Sequence, residues 1–152
     1  MSVPTWRRNL SRVEYLFQTY QLEIRVAQII YNTPSKYRNT FGDMMIKDCA
    51  KAMKHGRVAN DIYVTDKQSL EYRLYELSKM KACIDNVGTN TYVWMELMRK
   101  HDGISNAQMS KFYDTENDIG ESCDYIIALI DGVKKSDKSK FAERQKRGGN
   151  SA

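Results

Sequence analysis

The sequence predicts an all-α protein: an up-down-up-down four-helix bundle over residues 1–134, followed by a basic, disordered tail over residues 135–152. Three observations carry this. Both prolines, Pro4 and Pro34, stand outside the long periodic segments. The apolar/polar alternation of a strand is nowhere sustained, and four segments repeat apolar residues at spacings of three and four, the period of a helix with one buried stripe.

The first helix is expected to open on a capping box, Ser11-x-x-Glu14, in which hydroxyl and carboxylate each take up a free amide. Val13, Phe17, Tyr20, Ile24, Ala27 and Tyr31 then make one stripe, and Pro34 ends the segment. Thr40 is the predicted N-cap of a second helix over 40–63. Met45, Cys49, Ala52, Gly56 and Tyr63 share its inner face, where small residues permit a close helix–helix approach. The chain turns around 65–68. A third helix over 69–101 places Leu70, Leu74, Leu77, Ile84, Thr91, Met95 and Met98 on its seam. Gly88, in mid-helix, costs about 1 kcal/mol relative to Ala and marks either a packing contact or a bend. Ser105 and Gln108 form a second capping box at the start of the fourth helix. Its stripe is Phe112, Ile119, Cys123, Ile126, Ile130 and Val133, interrupted by Glu116. Short loops between amphipathic helices make neighbours antiparallel, hence the bundle. The stretch KKSDKSKFAERQKRGGNSA is polar, ends in glycines and has almost no large apolar residue, which predicts disorder.

Composition bounds the function. At 152 residues, 41% hydrophobic and 28% charged, the chain is an ordinary globular domain, able to bury roughly two-thirds of its unfolded surface. No apolar run reaches the ~18 residues of a membrane span, and MSVPTWRRNLSR lacks the apolar core of a secretory signal. Cys49, Cys83 and Cys123 are odd in number and never spaced as CxxC, so reduced thiols in a cytoplasmic protein are expected, with neither a zinc site nor a disulfide framework. A di-iron bundle needs Glu-x-x-His, but three residues before His55 and His101 stand Ala52 and Met98. His55 lies about 120° around the helix from Cys49, which excludes a local nucleophile–base pair. No glycine-rich phosphate loop precedes a helix. The expectation is a non-enzyme without cofactor or metal, its methionines serving as core filler.

The net charge of +5 is unevenly distributed. Residues 1–60 hold ten Lys/Arg against four Asp/Glu, residues 61–133 seven against thirteen, and residues 134–152 seven against two. Lys47, Lys51 and Lys54 fall within about 60° of one another, opposite Met45, Cys49 and Gly56, with Arg57 and His55 at the edges. Lys36 and Arg38 lead into that helix, and Arg7, Arg8 and Arg12 add charge beside Trp6. This is either a solvated lysine face or a surface that neutralises phosphates; aromatics interleaved with the cations favour the second. Asp114, Asp118 and Glu121 repeat the spacing on the fourth helix. They are a solvated face, or they pair with the basic stripe within the chain or between copies packed head to tail.

Pro34, Lys36, Arg38, Thr40, Gly42 and Asp43, between an amphipathic first helix and a second, carry a resemblance. The pattern over 15–60, and more loosely to 133, resembles the accessory variability determinant proteins of diversity-generating retroelements. They belong to the four-helix superfamily first noticed in ribosomal RNA intervening sequences. The resemblance implies a homopentameric ring of four-helix bundles that catalyses nothing. It implies the element's reverse transcriptase and its template RNA or cDNA as partners in mutagenic homing. Lys36, Arg38, Lys47, Lys51, Lys54 and Arg57 become the implied contact residues. TWRRNLSR and the basic tail depart from the pattern, and nothing is carried onto them. Pro34 and Gly42 are expected to serve turn and helix-start geometry, and Tyr37 to pack against a helix end.

Overall fold

The computed structural model describes residues 13–33, 35–101 and 105–149. Four long helices account for nearly all of them: α1 (Glu14–Tyr31), α2 (Asp43–Asp61), α3 (Lys67–His101) and α4 (Asn106–Gly149). A helical turn, Ser35–Tyr37, and a π-helical stretch, Arg38–Gly42, lead directly into α2. Each helix packs on its neighbours in sequence, and α1 closes the set against α4, while α2 and α4 are not packed side by side.

Between helices consecutive in sequence the contacts run in opposite chain directions. Tyr15 reaches the Gly56 carbonyl, whereas Gly42 lies under Ile30. His55 meets Glu76 and Thr91 meets Met45. Arg73, Ser78 and Lys81 meet Asp137, Lys134 and Asp131. Leu22, Val26, Met45, Leu77, Ile84, Met98, Ile119 and Ile126 are wholly buried at the centre, where truncating one such side chain to Ala costs about 2–5 kcal/mol.

Capping explains the helix starts. At α3, Asp66 Oδ1 accepts from the Ser69 amide at 2.8 Å and Ser69 Oγ accepts from the Asp66 amide at 3.1 Å, so that helix begins two residues earlier than the periodicity indicates. The Ser69 amide, helped by the Ser69 hydroxyl, holds the Asp66 carboxyl below its ordinary value. At α4, Ser105 Oγ accepts from the Gln108 amide as expected. Ser11 lies outside the described residues; α1 starts at Glu14, behind an extended Val13 whose carbonyl accepts from Leu16 and Phe17.

Several expectations need correction. In α1 the buried line is Tyr15, Thr19, Leu22, Val26, then Thr33, whereas Ile24 and Tyr31 of the expected stripe are 38% and 80% exposed. The polar members are satisfied within the helix: Thr19 and Thr33 each donate at 2.7 Å to the carbonyl four residues back, which removes most of the cost of burying them. Thr40 is not an N-cap: it sits inside the π-helical stretch and donates to the Lys36 carbonyl. Gly42 is right-handed at φ −59° and is needed instead for close approach, since a Cβ there would stand 3.2 Å from two Ile30 carbons. Finally, residues 135–149 are not disordered; they continue α4. Asp137 pairs with Arg73 at 2.6 Å, Phe141 is half-buried and Arg144 donates to the Val64 carbonyl, so the segment is tied to the start of α3. Residues 150–152 of the expected tail lie outside the described residues.

On α2, Met45, Cys49, Ala52 and Gly56 occupy the inner face as expected, but Tyr63 lies beyond the helix and is 88% exposed. Gly88 sits in an unbroken helix, and a Cβ there would meet Cys123 at ordinary contact distance.

Candidate nucleic-acid interface

The outer face of α2 is set by its inner one. Burying Met45, Cys49, Ala52 and Gly56 turns Lys47, Lys51, Lys54 and Arg57 outward, and all four are exposed. Among the described residues no carboxylate lies within salt-bridge distance of these four. Asp43, Asp48 and Asp61 of α2 itself make no salt bridge among the described residues, while on the other helices Glu76 is engaged with His55 at 2.6 Å and with Lys79 at 3.9 Å, Asp137 with Arg73, and Asp131 with Lys81.

The basic link behaves differently. Arg38 donates from Nε to the Thr33 carbonyl at 3.0 Å and from Nη2 to the Tyr31 carbonyl at 3.1 Å. It therefore caps the end of α1, a structural task that the spacing of charges does not reveal. Lys36 is exposed, with its Nζ 5.3 Å from the Tyr37 ring centroid, and Tyr37 packs on the core. Arg7, Arg8, Arg12 and Trp6 lie outside the described residues.

Asp114, Asp118 and Glu121 are exposed on α4, as the pattern indicated. Because α4 and α2 do not pack together, the acidic and basic stripes are not paired within the chain. Glu116 points partly inward; burial, reinforced by Glu96, raises its carboxyl above the ordinary value.

Two features were not foreseen. Tyr72 and Tyr75 are 51% and 55% exposed on α3, beside the α2 stripe, and the Lys79 ammonium stands 4.2 Å from the Tyr75 ring centroid. Their spacing of three, continued four residues on by Lys79, is visible in the sequence but lies off the apolar seam. Separately, α1 and α4 part to leave a cleft of about 600 Å³, with Ile29 and Phe112 beside Arg25, Gln28 and Lys111.

All three thiols are raised above the ordinary value. Burial pushes Cys49 far up and Cys123 up to about 12, and half-buried Cys83 is raised by the same cause. Among the described residues no three His, Cys, Asp or Glu side chains gather as metal ligands, and no helix is long and apolar enough to cross a membrane.

Geometry thus defines a helical protein with a cationic, aromatic-flanked outer face. Comparison with protein-family models, with curated proteins and with solved structures finds no match.

Proposed function

We propose that the chain is a cytoplasmic, non-catalytic accessory subunit of a diversity-generating retroelement. It binds the reverse transcriptase and its template RNA or cDNA to support mutagenic homing. On this reading the helices form an up-down-up-down bundle that assembles with copies of itself, a pentamer being what the sequence resemblance implies. The observation that carries the reading is the exposure of Lys47, Lys51, Lys54 and Arg57 without a carboxylate partner among the described residues. Fixed cations of this kind displace counterions from a polyanion and bind it in a salt-dependent way.

The test is a titration of template RNA at two salt concentrations. Neutralising about four phosphates should weaken binding to single strands about fifty-fold between about 50 and about 200 mM salt. Changing Lys47, Lys51 and Lys54 to Glu should abolish binding and leave the melting temperature within a few degrees, since exposed charges add little stability. A flat salt response refutes the reading. A neighbouring reverse-transcriptase gene with paired template and variable repeats would support the retroelement assignment.

A second reading is an adaptor whose charge polarity serves self-assembly alone. It is favoured by Asp114, Asp118 and Glu121, exposed on a helix that does not pack beside α2. Binding between copies that is lost at high salt, with no RNA binding at any salt, would select it.

A further inference from the structure

We infer that the seam between α2 and α3 is a stacking platform for single-stranded nucleic acid, with Tyr72 and Tyr75 taking bases and Lys51, Lys54 and Lys79 holding phosphates. The inference rests on the proposed nucleic-acid reading and adds to it the form of the ligand.

The two banks of the seam are fixed to each other. His55 on α2 and Glu76 on α3 meet at 2.6 Å, and Glu76 is 6% exposed. Lys51 is four residues before His55, so it lies on the same bank one turn along; Lys54 is next to it on the outward side. Tyr72 and Lys79 flank Glu76 at four and three residues, and are thereby neighbours of that contact on the other bank. Lys51 is close enough for its charge to act on Cys83 of α3, one turn beyond Lys79.

The tyrosines have no packing task that accounts for them. Each leaves about half its surface in water, although an aromatic ring is among the most favourable groups to bury. They stand one turn apart, roughly 4.5 Å along the axis, on the same outward line as Lys79. Beyond them that line continues through Ala82 and Asn86, both exposed and both small, so no large side chain closes the surface. The Lys79 ammonium sits over the Tyr75 ring, which places a cation within reach of whatever stacks there.

This combination selects a single strand. A duplex keeps the π faces of its bases stacked inside, and for its phosphates the α2 lysines suffice. Unpaired bases present a π face, and an aromatic side chain beside a cationic groove holds any base, whatever the sequence.

The experiment compares a labelled, unstructured RNA of about 20 nucleotides with a duplex of the same length, using anisotropy and the full chain. Replacing Tyr72 and Tyr75 together by Ala should weaken single-strand binding about thirty-fold or more and change duplex binding by less than about two-fold. Tyr72→Phe with Tyr75→Phe, which keeps the rings, should restore single-strand binding. Lys51→Glu with Lys54→Glu should lose both probes. If the Ala pair binds the single strand as tightly as the parent while the Lys variants do not, the stacking platform is wrong and the phosphate surface stands. If the parent binds neither probe, the nucleic-acid reading falls and the platform falls with it.

Discussion

Gly56 and Gly88 lie in mid-helix, and comparing Ala at each isolates the packing of the bundle from helix propensity. At Gly56 a new Cβ would stand 2.7 Å from Leu16 Cδ2 and 2.8 Å from Met80 Sδ, where α1, α2 and α3 converge. Contact between such atoms is favourable only at about 3.5–4.0 Å, so each neighbour must retreat by about 1 Å. Neither has room: Leu16 is 4% exposed and Met80 is fully buried. Overpacking of this kind costs about 1–3 kcal/mol. At Gly88 the nearest atoms, Cβ and Sγ of Cys123, are 3.8 Å away, an ordinary contact. Both substitutions gain about 1 kcal/mol of helix propensity, which cancels in the comparison. Gly88→Ala should therefore raise the melting temperature, and Gly56→Ala should melt about 2–12 °C below it for a chain of this size. Thermal and urea unfolding of the two variants reads the difference directly. Melting within a degree of each other would refute the close approach of the three helices at Gly56.

Three further outcomes are expected. Asp137→Asn removes the charge facing Arg73, which also donates to the Ala59 carbonyl, so it should cost about 2 kcal/mol and speed amide exchange selectively over residues 138–149. Glu116→Gln should stabilise more at pH 7 than at pH 4. Burial raises that carboxyl above its ordinary 4.5, so wild-type stability is full below 4.5 and falls as pH rises through the folded-state value, whereas Gln has no charge to desolvate. Cys49 and Cys123, buried and held as thiols, should react with a thiol reagent only on unfolding, whereas half-buried Cys83 should react first in the native protein, as mass spectrometry after timed quenching would show.

Where apolar spacing was the whole signal, the sequence was legible. The inner faces of α2, α3 and α4 follow it through Met45, Cys49, Leu77, Ile84, Ile119 and Ile126, even though Thr91 and Glu116 interrupt the line. On α1 two stripes of equal period compete. The one richer in aromatics is the outer one, and the true core line is broken by Thr19 and Thr33, whose hydroxyls are silenced by bonds to their own helix. The continuation of α4 was hidden for a related reason. Past Val133 it is held by Asp137, half-buried Phe141 and exposed Arg144, and two of those three are charged residues whose partners, Arg73 and the Val64 carbonyl, are distant in sequence. The basic face of α2 was readable from helical angle alone. The capping role of Arg38 and the tyrosines of α3 required knowing which segments lie side by side.

The placement of charge weighs between the two readings of the α2 face. Since α2 and α4 are not packed neighbours, Lys47, Lys51 and Lys54 do not neutralise Asp114, Asp118 and Glu121 within one chain, and both stripes stay open to solvent or to an outside partner. A second copy and a nucleic acid would compete for the same lysines. A carboxylate stripe makes equal use of those cations whether or not aromatic rings lie beside them. Tyr72 and Tyr75 nevertheless stand half in water next to the stripe, with Lys79 against Tyr75. Bases use both a π face and a cation, and carboxylates use only the second. The side chains that self-assembly leaves without a task are the ones that a single strand requires.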